Sequence, residues 1–280
     1  MIEAQQSQSQ QQTEPPATGT PVIELAQVDK VFANGMRGLE PINLRIMPGE
    51  FISLIGPSGC GKSTLLKLIA KLIEPTSGTI RWWGGDFAGV GTDGHRLSFV
   101  FQDPTLMPWG RVGTNVRLPL ELAGRPAAEI TARTKAALAH VGLAKYERHF
   151  PRQLSGGMRM RTSIARALVT NPDVLLMDEP FGALDEFTRN KLDDDLVRLS
   201  TEAHLTTVFV THSLYEAVFL STRVIVMAAQ PGRIFREFIV DEPPARTDEF
   251  RTSDRFAHAC RELSTILTAA SHASGSDENA

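Results

Sequence analysis

The chain has 280 residues, 42% of them hydrophobic and 22% charged, which is enough apolar material for one sizeable core with an inserted subdomain. A formal charge of -3 excludes a global attraction for nucleic acid, no apolar run approaches membrane-spanning length, and the polar, Gln-rich start is not a secretory signal. Two cysteines, Cys60 and Cys260, are too few for a disulfide framework or a zinc knuckle, so the composition points to a chain that stays in a reducing cytosol.

Residues 1–21, with a run of glutamines ahead of Pro15 and Pro16, are expected to be a disordered tail. The main domain is expected over residues 22–245. Ile23 and Leu25 alternate with Glu24 and Ala26, and Asn34-Gly35 is a hairpin signal, so the domain opens with antiparallel strands around Phe32. Pro48-Gly49 reads as a type II turn into the apolar strand Phe51-Ile52-Ser53-Leu54-Ile55.

That strand runs into Gly56-Pro57-Ser58-Gly59-Cys60-Gly61-Lys62-Ser63-Thr64, a match to G-x-x-x-x-G-K-[ST] in the context that pattern needs. Leu65, Leu66, Ile69, Ala70 and Ile73 follow at helical spacing, so a helix starts near Lys62 and turns its unpaired N–H groups and positive dipole end toward the loop. A polyphosphate suits that place: the glycines let backbone N–H groups curl around it, Lys62 supplies a mobile charge, and the Ser63 hydroxyl is a ligand for Mg²⁺. Cys60, between a helix N-terminus and a lysine, is expected to have a depressed thiol pKa and raised reactivity.

Thr76-Ser77-Gly78 reads as a turn and residues 79–83 as a strand, with Trp82 and Trp83 expected as one core ring and one half-exposed partner. A further strand, 97–101, ends at Gln102. Residues 104–168 read as a helical insertion: an irregular connector marked by Pro104, Pro108, Gly110 and Gly113, a helix over 127–141 closed by Gly142, then Leu154-Ser155-Gly156-Gly157-Met158 and a helix over 159–169. Strands 174–177 and 207–211 run into Asp178-Glu179 and His212. Ser213 with Glu216 forms a capping box, and 224–228 is one more strand. In 246–280, Phe256, Cys260, Leu263 and Leu267 share one face of a final amphipathic helix, with disorder expected from Ser271.

Strands that end in functional side chains mark an open α/β sheet with its ligand at their carboxyl ends. Asp178 is the natural partner of Ser63 for Mg²⁺. Glu179 can orient and deprotonate an attacking water, and His212 can hydrogen-bond the γ-phosphate.

The phosphate loop, Gln102, the Leu154 to Met158 motif, Val174 to Glu179, Gly182-Ala183-Leu184-Asp185 and His212, in this order, resemble the nucleotide-binding subunit of an ABC transporter over roughly residues 22–235. The resemblance implies an α/β fold: a P-loop NTPase core with a mostly parallel sheet, an N-terminal antiparallel β subdomain and an inserted α-helical subdomain. It also implies ATP and Mg²⁺, and a head-to-tail homodimer in which Ser155, Gly156 and Gly157 of one subunit cap the nucleotide held by the other's phosphate loop. Carried over residue by residue, Lys62, Gln102, Glu179 and His212 are catalytic, Phe32 stacks on adenine, Asp185 contacts the second subunit, and Gln102 senses Mg²⁺ and water. Two departures, Phe32 for the commoner tyrosine and Met158 for the usual glutamine, remove no catalytic group.

Leu106-Met107-Pro108-Trp109, Phe150-Pro151-Arg152-Gln153, Val218-Phe219-Leu220-Ser221 and Pro231-Gly232-Arg233-Ile234 resemble the importer branch for nitrate, sulfonates and taurine. That branch implies transmembrane permease partners, an extracytoplasmic solute-binding protein and a peripheral place on the cytoplasmic face of the inner membrane, with no nucleic-acid partner. Trp109 on its irregular segment is expected to border the docking surface for a permease helix. Two competing readings are a soluble ABC ATPase of DNA repair or translation, which would call for a heptad insertion or a second cassette, and a nucleotide sensor without turnover, which would lack Lys62, Glu179 or His212.

Overall fold

The computed structural model describes residues 19–91, 94–182, 184–240 and 246–273. Residues 1–18 of the Gln-rich tail, Ala183 of the Gly182 to Asp185 motif, and residues 274–280 of the C-terminal tail lie outside them.

Strands β1 Ile23–Val31 and β2 Arg37–Ile46 form an antiparallel hairpin. Gly35 turns it in the left-handed region at φ 82°, with its N–H on the Phe32 carbonyl at 2.9 Å. Pro48 and Gly49 then lead into β3 Phe51–Ile55, and the phosphate loop into α1 Lys62–Ile69. Strand β4 Ser77–Trp82 pairs with the other side of β1, so the first sheet runs β2-β1-β4. Ser77 and Gly78, expected in a turn, belong to this strand. Gly78 presses on the bulge at Gln27, where a Cβ would stand 2.2 Å from the Gln27 carbonyl oxygen. Trp82 is buried with its indole N–H on the Ile69 carbonyl at 2.9 Å, whereas Trp83, expected in the strand, leaves it and stacks half-exposed on His95.

The second sheet adds β5 Leu97–Val100, β6 Val174–Asp178, β7 Thr206–Val210, β8 Arg223–Ala228 and β9 Arg233–Ile239, in the order β5-β6-β7-β3-β8-β9. The first five run parallel and β9 antiparallel. Their apolar runs read without alternation because both faces are covered. Ile52, Leu54, Leu176, Val208 and Ile225 face α1 and the antiparallel sheet, while Phe51, Leu175, Met177, Phe209 and Val224 face the helices on the other side.

Residues 104–168 carry α2 Val112–Leu122, α3 Ala127–His140 and α4 Gly156–Leu168. Helix α2 corrects the reading of this stretch as an irregular connector. Val112, Val116 and Leu120 recur every fourth residue and are buried, but Pro119 inside the helix and Gly113 at its start obscured the pattern. Gly113 is there because a Cβ would come within 2.7 Å of Glu147. Helix α4 starts ahead of the predicted position because Ser155 caps it, its Oγ accepting the Met158 N–H at 3.3 Å.

Helices α5 Glu186–Glu202, α6 Leu214–Leu220, α7 Asp248–Arg251 and α8 Asp254–Ala273 complete the chain. The sequence reading did not anticipate α5, which buries only Leu192, Asp193 and Leu196, too thin a stripe to register as periodic. It also missed edge strand β9. Helix α8 buries Phe256, Cys260, Leu263, Ile266 and Ala270 and extends over residues 271–273, where disorder was expected. No helix among the described residues is long and apolar enough to cross a membrane.

Candidate functional site

The strand order sets the carboxyl ends of β5, β6, β7 and β3 side by side, and each carries part of the site. After β3, the chain crosses residues 56–61 with Gly59 at φ 79° and Gly61 at φ 90°. Gly61 could hold no side chain, since a Cβ would stand 2.4 Å from Leu39 Cδ2 and 3.1 Å from the Gly38 carbonyl oxygen. Gly56 is likewise hemmed in by the Met227 carbonyl oxygen at 2.4 Å. Pro57, Ser58 and Gly59 form the outer part of the loop, with Ser58 and Gly59 exposed. Gly61 caps α1 without a side-chain hydrogen bond, and the first turn, Lys62, Ser63 and Thr64, has no acidic residue, so its N–H groups suit an anion.

Lys62 is buried, with Nζ donating to the carbonyl oxygens of Gly56 at 2.9 Å and Pro57 at 3.1 Å. Cys60 Sγ lies 3.7 Å from the same ammonium. The expected activation of this thiol is not observed. Cys60 is fully buried, and desolvation pushes its pKa up from the usual 9.0 against the opposing pull of Lys62.

Ser63 Oγ donates to Asp178 Oδ1 at 2.8 Å, joining the first turn of α1 to the last residue of β6. Among the described residues no cluster of three His, Cys, Asp or Glu could hold a metal alone. One hydroxyl and one carboxylate beside the phosphate loop are nonetheless a donor set that suits Mg²⁺, an ion usually bound through one or two protein oxygens with water and phosphate oxygens completing its shell.

Glu179 follows in the left-handed region at φ 47°, unusual for a side chain with a Cβ, and its N–H is anchored on the Val210 carbonyl at 3.1 Å. Its carboxylate meets two more predicted residues: Oε1 lies 2.6 Å from His212 Nε2 beyond β7, and Oε2 accepts from Gln102 Nε2 beyond β5 at 3.3 Å. Phe32, half-buried, packs across the hairpin on Gly38, where a Cβ would come within 2.5 Å of its ring. A Cβ added to Gly61 would in turn stand 3.1 Å from the Gly38 carbonyl oxygen, so the aromatic ring and the phosphate loop both lie close to Gly38.

Ser155, Gly156 and Gly157 form a second glycine-rich helix start, with Ser155 and Gly156 exposed. Leu184 lies against Gly157, and the exposed Asp185 caps α5, its Oδ1 accepting the Thr188 N–H at 3.0 Å. That hydrogen bond holds the Asp185 carboxyl below its ordinary pKa. Among the described residues no hydrogen bond or ion pair joins residues 155–157 or Asp185 to the phosphate loop. One chain therefore presents its two glycine-rich helix starts, at α1 and α4, as separate halves.

The sequence reading missed the residues that hold the site from behind. Ser213 caps α6 as expected, but Glu216 does not complete the box: its buried carboxylate goes to Thr211 and Arg189. Arg166 of α4 pins the segment after Gln102 through the carbonyl oxygens of Pro104 and Thr105, both at 2.9 Å. An Arg or Glu inside a helix gives no signal of such a role until its neighbours are known.

A family model described as ABC transporter matches residues 39–182. The chain is 44% identical over 237 residues to the aliphatic sulfonates import ATP-binding protein of Xanthomonas axonopodis pv. citri, covering 84% of this chain and 90% of that one. It is 40% identical over 255 residues to the nitrate import ATP-binding protein of a Synechocystis strain, covering 88% and 94%. Among solved structures, an ATP-binding cassette described as a dimer in a post-hydrolysis state bound to ADP and Pi superposes with a TM-score of 0.71 at 34% identity, over 79% of this chain and 100% of that chain.

Proposed function

The chain belongs to the ABC transporter family, and from that premise we infer that it is the ATP-hydrolysing subunit of an importer for a small oxyanion of the sulfonate or nitrate kind. The observation that carries the reading is the Glu179 carboxylate, held between His212 and Gln102 one residue beyond the Ser63–Asp178 pair.

In the mechanism this supports, the N–H groups of residues 59–64 receive the β- and γ-phosphates of ATP, and Lys62 turns from the loop carbonyls to the same oxygens. Ser63 and Asp178, with Gln102 at the rim, are the residues that would hold Mg²⁺, which would supply charge neutralisation between the outer phosphates. Glu179 orients a water and takes its proton as the water oxygen bonds to the γ-phosphorus and the bond from that phosphorus to the β–γ bridging oxygen breaks, releasing ADP and inorganic phosphate. His212 steadies both the carboxylate and the γ-phosphate. Phe32 offers a ring face to adenine.

Ser155, Gly156 and Gly157 complete the site from a second copy, with Asp185 at the same interface. The separation of the two halves within one chain, and the dimeric state given for the ADP-bound relative, both support that arrangement. A pair of permease subunits at the inner face of the membrane, fed by a solute-binding protein, would receive the coupled motion. The alternative of a soluble repair or translation ATPase has no support among the relatives. The test is transport: vesicles holding the chain with its permease should take up a sulfonate or nitrate on ATP addition, and Lys62→Ala should stop both uptake and hydrolysis. Hydrolysis without uptake of either solute would overturn the solute class.

A further inference from the structure

Behind the site, a buried polar relay joins two turns distant in sequence. Glu216 on α6 is 5% exposed. Its Oε2 accepts a short hydrogen bond from Thr211 Oγ1, and the same Thr211 oxygen accepts the Ser213 N–H at 2.8 Å, so the hydroxyl brackets His212 from both sides. The other oxygen, Oε1, lies 3.3 Å from Arg189 Nε, an ion pair rather than an aligned hydrogen bond. Arg189 Nη2 in turn donates to the Leu184 carbonyl at 2.9 Å, the residue before Asp185.

Buried ion pairs seldom stabilise a fold more than well-packed apolar residues would, because desolvation offsets their attraction. This pair does what apolar residues could not, since it fixes the angle of one turn against another through directed contacts. We propose that Glu216 is a positioning residue for ATP hydrolysis, coupling the His212 turn to the Asp185 turn through Thr211 and Arg189. The inference rests on the role given to His212 above. When the Asp185 turn is displaced by a second copy, Arg189 carries the displacement to Glu216, and His212 moves relative to Glu179.

The test is steady-state ATP hydrolysis by the full chain, with nucleotide affinity and thermal unfolding measured alongside. Glu216→Gln should lower kcat by about tenfold to a hundredfold, the scale of a misplaced catalytic group, while ATP affinity stays within about twofold. Thr211→Val, nearly isosteric, should do the same, and Thr211→Ser should restore the rate. In a His212→Ala background, Glu216→Gln should cost nothing further, because its effect passes through His212. Wild-type kcat in Glu216→Gln, or effects that add fully in the double variant, would overturn the inference. If Glu216→Gln fails to fold, Thr211→Val decides by the same criteria. A wild-type chain that does not hydrolyse ATP would overturn the functional reading as well, which separates the two failures.

Discussion

The side-chain amide of Asn115, fully buried on α2, fastens Met107 from both sides: Oδ1 accepts the Met107 N–H at 2.7 Å, and Nδ2 donates to the Met107 carbonyl at 3.2 Å. Nδ2 also faces the Gly110 and Arg111 carbonyl oxygens at 3.0 and 3.1 Å. One side chain thus shapes residues 107–111, from which Trp109 projects 77% exposed. Asn115→Ala strands these backbone groups, at about 1–3 kcal/mol for each one left unsatisfied, and should lower the melting temperature. Trp109→Ala should leave melting and basal hydrolysis unchanged yet weaken co-purification with the permease, because an exposed indole contributes little to its own fold. Equal destabilisation by both variants would place Trp109 in the chain's own packing.

Burial raises the thiol pKa of both cysteines, that of Cys260 to about 11. Iodoacetamide at neutral pH should therefore modify the native chain slowly and the urea-unfolded chain rapidly, since the thiolate is the nucleophile. Fast loss of hydrolysis on alkylation, prevented by Cys60→Ala, would contradict the burial seen here. The thiol form of Cys260 favours folding fully below the unfolded value of 9.0, and that contribution is lost as pH rises through 11. Cys260→Val should flatten the fall in melting temperature across that window.

Asp193 on α5 is 1% exposed, and burial together with the charge of Glu216 raises its pKa to about 8, with Arg251 pulling the other way. A carboxyl whose folded pKa is raised binds its proton more tightly in the native state. Its favourable contribution is complete below the unfolded value near 3.8 and is lost as pH rises toward 8. Asp193→Asn, which keeps shape and removes the charge, should raise the melting temperature most at pH 8, less at pH 5, and change it little only at or below about pH 3.8. A lower melting temperature at pH 8 would mean that the 3.7 Å pair with Arg251 outweighs desolvation.

The phosphate loop, Asp178-Glu179 and His212 were legible in the sequence because each stands where a buried strand gives way to a turn. Such a break in pattern survives without knowledge of neighbours. Helix α2 was hidden by Pro119 and Gly113, residues whose local preference contradicts a helix that tertiary packing enforces. Cys60 went wrong for a related reason. Its sequence neighbours favour the thiolate, but its pKa is set by an enclosure that includes Gly56 and so depends on the fold. Glu216 offered a correct N–H contact with Ser213 and concealed where its carboxylate goes.

Glu179 is the residue on which hydrolysis and assembly can be separated. Glu179→Gln keeps the side chain's reach toward His212 and Gln102 but removes the group proposed to take the proton, while Lys62, Ser63 and Asp178, proposed to hold nucleotide, remain. ATP affinity should persist, and hydrolysis should fall by about two to four orders of magnitude, the scale of positioned acid–base catalysis. Because hydrolysis ends the ATP-bound state, the variant should accumulate as a dimer in ATP and Mg²⁺, seen as a doubling of mass by light scattering. Adding Ser155→Arg places a bulky cation at the exposed start of α4, where the second copy would close on nucleotide, and should return the protein to monomer without touching its own phosphate loop. Normal turnover in Glu179→Gln would remove Glu179 from the chemistry. A double variant that still dimerises in ATP would show that the two halves do not meet at Ser155.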